Sequence, residues 1–253
     1  MGISRVTLAT LCTKALGYRV NVRVWEAGAA DTPSVVLVHG VVVSSRYMGP
    51  LGSVLEPWAR VYAPDLPGHG VSEKPRRPLD ALRLSEALAE VLAGLSAERP
   101  ILLGNSFGCQ IVAELAASRP DLPSACVLVS PTYDPAATRL QQVVRWLRNM
   151  SKEPPSLGRT LLRDYVDARP HRALAMVARS LQHRIEDCLP LVRAPTLVVC
   201  GDRDPIVPNR WAEEATRLLP NGELCVVREA AHTLNFSHPR ELAGLVREFV
   251  GEG

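Results

Sequence analysis

The sequence predicts an α/β domain built on a mainly parallel sheet with helices on both faces, interrupted by one helical insertion. Three observations lead there. Short apolar runs recur with helix-length stretches between them, the alternation expected of β-α-β units. One of those runs ends in the pentapeptide Gly104-Asn105-Ser106-Phe107-Gly108, directly ahead of an amphipathic stretch. From Pro131 to Pro190, by contrast, there is no strand-like run, only helical and proline-rich sequence.

Taken in order, Tyr18 to Trp25 alternates apolar and polar residues and reads as a half-exposed antiparallel strand. Val35-Val36-Leu37-Val38 is continuously apolar, as expected of a strand covered on both faces. Val61 to Ala63, Ile101 to Leu103, Cys126 to Val129, Leu197 to Cys200 and Leu224 to Val227 repeat that pattern. Helices are expected at roughly 80–95, 107–119, 209–219 and 239–250. The stretch 131–190 carries 10 Lys+Arg against 6 Asp+Glu. It reads as a lid over the sheet's carboxyl edge, so the expected organisation is a core of 1–130 and 191–253 with a cap of 131–190. The basic surplus reads first as a solvated helical surface and second as a weak preference for anionic substrates.

Bulk properties exclude several classes. At 253 residues, 47% hydrophobic and 22% charged, the chain suits an ordinary globular domain with a substantial core. A net charge of +3 without a block of like charges gives no footprint for a nucleic-acid partner. No apolar stretch reaches the roughly 18 residues of a bilayer span, and Met1 to Leu16 lacks signal-peptide order, so the expected location is cytoplasmic. Six cysteines show no CxxC pair and no histidine at metal spacing. They read as free, mostly buried thiols.

The chemistry sits around Ser106. A serine hydroxyl needs a base, an orienting acid and donors for a developing oxyanion. The strand-turn-helix context of the pentapeptide presents the hydroxyl clear of its backbone, and the flanking glycines avoid collisions with the neighbouring strand and helix. Gly201-Asp202-Arg203-Asp204-Pro205 follows one strand and Ala231-His232 follows the next, so both loops lie at the carboxyl edge where α/β sheets build sites. His232 is the candidate base. Asp204 is the candidate acid, with Asp202 and Asp134 as rivals. His39 and His69 sit in turn motifs and read as structural; His171, His183 and His238 lie outside any motif.

These segments together resemble the α/β-hydrolase fold superfamily nearly end to end. Val38-His39-Gly40-Val41 is similar to its His-Gly-x turn, Asp65-Leu66-Pro67-Gly68-His69-Gly70 to its Asp-x-x-Gly-x-Gly loop, and 104–108 to its nucleophile elbow. Residues 201–208 match its acid loop, while Ala231-His232 departs from the common Gly-His pair. The order Ser106, Asp204, His232 is that family's order. The resemblance implies backbone N–H donors at Phe107 and Val41, with Val42 the nearby alternative. It further implies a serine hydrolase, similar to small bacterial carboxylesterases and C–C bond hydrolases, acting on an ester, thioester, lactone or activated C–C bond. Serine in place of a carboxylate disfavours dehalogenase and epoxide-hydrolase chemistry. A perhydrolase, cofactor-free oxygenase, acyltransferase or slow ligand-binding protein is the alternative. The expected partner is a small apolar substrate, with no nucleic acid, membrane, metal or organic cofactor and with oligomeric state open. Arg145, Trp146 and Met150 are the lid residues expected to meet substrate.

Overall fold

In a computed structural model, residues 8–26, 32–95 and 97–251 are described. Their strands are β1 (Leu8–Ala15), β2 (Tyr18–Trp25), β3 (Ser34–Val38), β4 (Arg60–Asp65), β5 (Ile101–Asn105), β6 (Ala125–Val129), β7 (Thr196–Gly201) and β8 (Gly222–Val227). They form one sheet in the order β1-β2-β4-β3-β5-β6-β7-β8. β2 runs antiparallel to both β1 and β4, and every pairing from β4 to β8 is parallel.

The helices are α1 (Gly49–Leu55), α2 (Ala81–Leu95), α3 (Phe107–Ser118), α4 (Arg139–Met150), α5 (Pro155–Ala168), α6 (Pro170–Ser180), α7 (Ile185–Cys188), α8 (Asn209–Leu218), α9 (Leu234–Ser237) and α10 (Pro239–Phe249). Two apolar cores lie on the two sheet faces. Val36, Leu102, Leu128 and Val198 share one with α2, α3 and α8. Val35, Leu103, Val127 and Val199 share the other with α1 and α10. Alternate residues of one strand therefore face different helices, which is why these strands read as continuous apolar runs.

Two features depart from the sequence expectation. Leu224 to Val227 reads as a strand covered on both faces, but β8 is the sheet's edge and most of it is only partly buried. β1 had no clear pattern in the sequence: it is the opposite edge, with Cys12 exposed. It is joined to β2 by the two-residue turn Leu16-Gly17, both with positive φ (52° and 80°). Such a turn matches the twist of its flanking strands.

The parallel registers Val38↔Gly104, Asn105↔Val129 and Gly201↔Val227 bring the ends of β3, β5, β6, β7 and β8 to one edge. Between β6 and β7 the chain forms α4 to α7 and a short 3-10 turn, and no strand. Buried polar contacts tie this segment to the rest. Asp164 on α5 accepts hydrogen bonds from the Ser44 amide (2.9 Å) and the Ser44 hydroxyl (2.9 Å), and pairs with Arg46. Arg172 on α6 donates to the Pro75 carbonyl (2.7 Å), and Gln110 on α3 donates to the carbonyl of Thr132 (2.9 Å).

Candidate active site

Ser106 occupies the tight turn between β5 and α3 with φ 58° and ψ −119°, a region costly for a residue with a side chain. The glycines on either side make the turn possible. A Cβ on Gly104 would lie 2.5 Å from the Gly108 carbonyl carbon, and one on Gly108 would lie 2.9 Å from the His39 carbonyl oxygen. The Ser106 amide is held by the Val129 carbonyl (2.9 Å), so the serine sits at the β5–β6 edge at the start of α3.

His232 follows β8 and is buried. Its Nδ1 lies 2.8 Å from Asp204 Oδ2. A carboxylate only accepts, so the imidazole carries its proton on Nδ1 and leaves Nε2 with a lone pair. Asp204 is itself fixed, its Oδ1 accepting from the amides of Ile206 (2.8 Å) and Val207 (3.1 Å). Burial alone would depress the His232 pKa. The charge and hydrogen bond of Asp204, with a further contribution from Glu153, more than offset that and hold it above the ordinary imidazole value.

The rival acids are elsewhere engaged. Asp202 is exposed. Asp134 is buried but pairs with Arg145 (2.8 Å) and with Arg210. Ser106 and His232 line one cavity of about 600 Å³ together with Val41, Trp146, Met150 and Glu153. Among the described residues no hydrogen bond joins Ser106 Oγ to His232, although both line the same cavity. Such bonds are commonly loose before substrate binds. Arg145 is the exception among the lid residues expected to meet substrate. It lines neither this cavity nor its neighbour, because the buried Asp134 carboxylate holds its guanidinium.

Val41 lies in the turn after β3, and Phe107 opens α3. Neither amide has a hydrogen-bond acceptor among the described residues. Val42, the alternative donor position, has φ 64° and a buried side chain packed on Ala168, Ala173 and Met176 of α5 and α6. His39 and His69 are buried 4.3 Å apart between ring centroids. His39 Nδ1 meets the Gly40 carbonyl (2.9 Å) while Nε2 accepts from the Leu66 amide (3.1 Å). Burial holds both pKa values down, so they are neutral props of the two turns. Asp65 completes that arrangement, accepting from the amides of Ser45 (2.7 Å) and Val71 (3.0 Å). A Cβ on Gly70 would collide with this carboxylate.

Three residues at the site carried no readable signal. Tyr47 accepts from the Gly40 amide (2.7 Å) and donates to Asn105 Oδ1 (2.9 Å), while Asn105 Nδ2 donates to the carbonyls of Val129 and His232 (both 3.1 Å). One chain of hydrogen bonds thereby links the turn after β3, the serine turn and the histidine loop. Asn105 stands inside the pentapeptide, at a position the motif leaves free. Glu153, in the α4–α5 turn, accepts from the Thr233 amide (2.9 Å) and Asn149 (3.0 Å) and from the Thr233 hydroxyl. A carboxylate from the helical segment thus grips the residue next to His232.

All six cysteines are free. Glu114, His183 and Cys188 form a group of possible metal ligands with their ligating atoms within 4.8 Å of one another. It lies where α3 meets α7 and the turn before it, outside the cavity lining. No described helix is long and apolar enough to cross a membrane.

A family model described as the alpha/beta hydrolase family matches residues 35–245. The chain belongs to that family. It is a hydrolase. A pimeloyl-[acyl-carrier protein] methyl ester esterase of Xylella fastidiosa is 26% identical, over 86% of this chain and 95% of that protein. Among solved structures, a thermophilic esterase from Thermogutta terrifontis superposes with a TM-score of 0.75 at 20% identity, covering 97% of this chain and 98% of that one. A meta-cleavage product hydrolase from Pseudomonas fluorescens IP01 gives 0.80 at 19% identity, covering 97% and 98%.

Proposed function

We propose that this hydrolase cleaves carboxylic esters of small apolar substrates through an acyl-enzyme on Ser106. The observation that carries the reading is the buried His232–Asp204 pair, 2.8 Å apart, with His232 sharing a cavity with a serine held in a strained turn. Water enters only once the acyl group is in place.

In this reading Ser106 Oγ attacks the ester carbonyl carbon as its proton passes to His232 Nε2. The carbonyl oxygen becomes an oxyanion facing the amides of Phe107 and Val41, each donor contributing roughly 2.7–4 kcal/mol to the transition state. Asp204 keeps the imidazole in the useful tautomer and stabilises the imidazolium. His232 then returns the proton to the leaving alkoxide, the C–O bond breaks, and a water repeats the sequence to free the acid. The helices α4 to α6 act as the lid, held down by Asp164, Arg172 and Glu153, and exclude water while the acyl group is loaded.

The curated relative named as a methyl ester esterase supports ester chemistry, and the cavity wall supports an apolar substrate. Tyr47, Asn105 and Glu153 there serve the serine and histidine loops, while Trp146, Met150, Leu157 and Leu161 give the wall its apolar character. The test is steady-state hydrolysis of p-nitrophenyl butanoate by the wild-type protein with Ser106→Ala as the blank. Turnover well above that blank is expected; equal rates would overturn the reading.

A further inference from the structure

Beside the cavity that holds Ser106 lies a second one, of about 690 Å³. The two share the side chains of Val41, Tyr133, Trp146, Leu162 and Tyr165. Trp146 and Tyr165 stand between α4 and α5 with ring centroids 6.4 Å apart, an aromatic pair bordering both spaces. The wall of the second cavity is almost wholly apolar, and its single charged member, Arg169, is exposed at the junction of α5 and α6.

The helical segment exposes large apolar side chains to an unusual degree. Val143, Trp146, Leu162, Val166 and Leu174 are between 38% and 74% exposed, and all five line this second cavity. Isolated exposed apolar residues need no explanation, but a contiguous group converging on one concavity does. The same residues complete no core: the small buried cluster beneath them is Val42, Ala168, Ala173 and Met176.

We propose that the second cavity is a distal subsite for the acyl chain, and that the substrates are esters of medium to long unbranched fatty acids. This rests on the Ser106 reading. Val41 supplies the link: its amide is the proposed oxyanion donor and its side chain lines both cavities. A chain attached to the carbonyl carbon therefore has a route past Val41 and the Trp146–Tyr165 pair into the second space. Each methylene moved from water to this wall contributes binding that the ester carries into the transition state. The exposed apolar residues are covered when substrate is in place.

The experiment compares kcat/KM for p-nitrophenyl acetate, butanoate, octanoate and dodecanoate in the wild type and in the double variant Val166→Asn/Leu174→Asn. Both substituted positions are exposed, so folding is preserved. The acetate rate of each protein serves as its own reference. The octanoate-to-acetate ratio is expected to exceed 10 in the wild type and to fall at least 5-fold in the variant. A flat or falling profile, or a ratio unmoved by the substitutions, overturns the subsite while leaving the Ser106 reading intact. A rise confined to alkyl acetates of increasing alcohol length would overturn the acyl assignment. Should no ester turn over, the ester reading fails, and dodecanoate binding to Ser106→Ala, followed by tryptophan fluorescence, still reads the cavity. A Kd weakened at least 5-fold by Val166→Asn/Leu174→Asn supports the subsite, and an equal Kd refutes it.

Discussion

The sheet and the helical segment between β6 and β7 are built on different principles. In the sheet, apolar side chains are inside and backbone pairing carries the polar groups; Val35 to Val38 and Cys126 to Val129 are wholly buried. In the segment, charged and polar residues join apolar ones in the buried junction: Asp164, Arg172, Gln142 and Asn149 are buried beside Leu157, Ala173 and Met176, while Leu162, Val166 and Leu174 are exposed. A core held by apolar burial is rigid and suits the geometry of Ser106, Asp204 and His232. The segment's junction combines such apolar packing with directional contacts, and its outer side carries exposed apolar side chains. The proposed function places the chemistry at the sheet edge, and the proposed subsite places selectivity in the helices above it.

Substitutions at the sheet edge should break activity without loosening the segment. His232→Ala is expected to lower kcat by about 10⁴- to 10⁶-fold, with Asp204→Asn losing somewhat less because the base is misoriented but present. Single-turnover and steady-state kinetics check both, with circular dichroism unchanged. A retained rate in either variant reassigns that role.

Substitution at the junction should do the reverse. Asp164→Asn removes a buried charge from the contacts to Ser44 and Arg46, and losing a charged hydrogen bond costs about 1.5–3 kcal/mol. Trypsin should then cut within 139–169 several-fold faster than in the wild type, while the sheet resists. Equal cleavage rates would mean that Asp164 is not what holds α5 down.

Glu153 joins the two regions and should give the smallest effect. His232 must be neutral to accept the Ser106 proton, and its raised pKa places the acid limb of kcat/KM above the ordinary imidazole range. Glu153→Gln removes one negative charge that favours the imidazolium, so the limb should move to lower pH by some tenths of a unit. A merely structural latch would change kcat without moving that limb.

How much of this was legible in the sequence follows the same division. β3, β5, β6 and β7 are apolar on both faces, and their helices are amphipathic, so local pattern and tertiary burial agree. β1 and β8 are edges, where little burial constrains the side chains. Ser106, Asp204 and His232 could be picked out as candidates because each follows a strand end in a recognisable turn. Tyr47, Asn105 and Glu153 could not, because each meets backbone groups and side chains far apart in sequence, which leave no trace in local side-chain pattern. Arg145 illustrates the converse. Its helical spacing beside Trp146 suggested the cavity, but the distant Asp134 carboxylate holds it.

The central claim is that Ser106 becomes nucleophilic through His232. Folded protein treated with a fluorophosphonate and then peptide-mapped by mass spectrometry addresses it directly. A single adduct on Ser106, abolished by His232→Ala, is the expected result. Ester hydrolysis proceeding at full rate with Ser106 unlabelled, or an adduct on another residue, would contradict it.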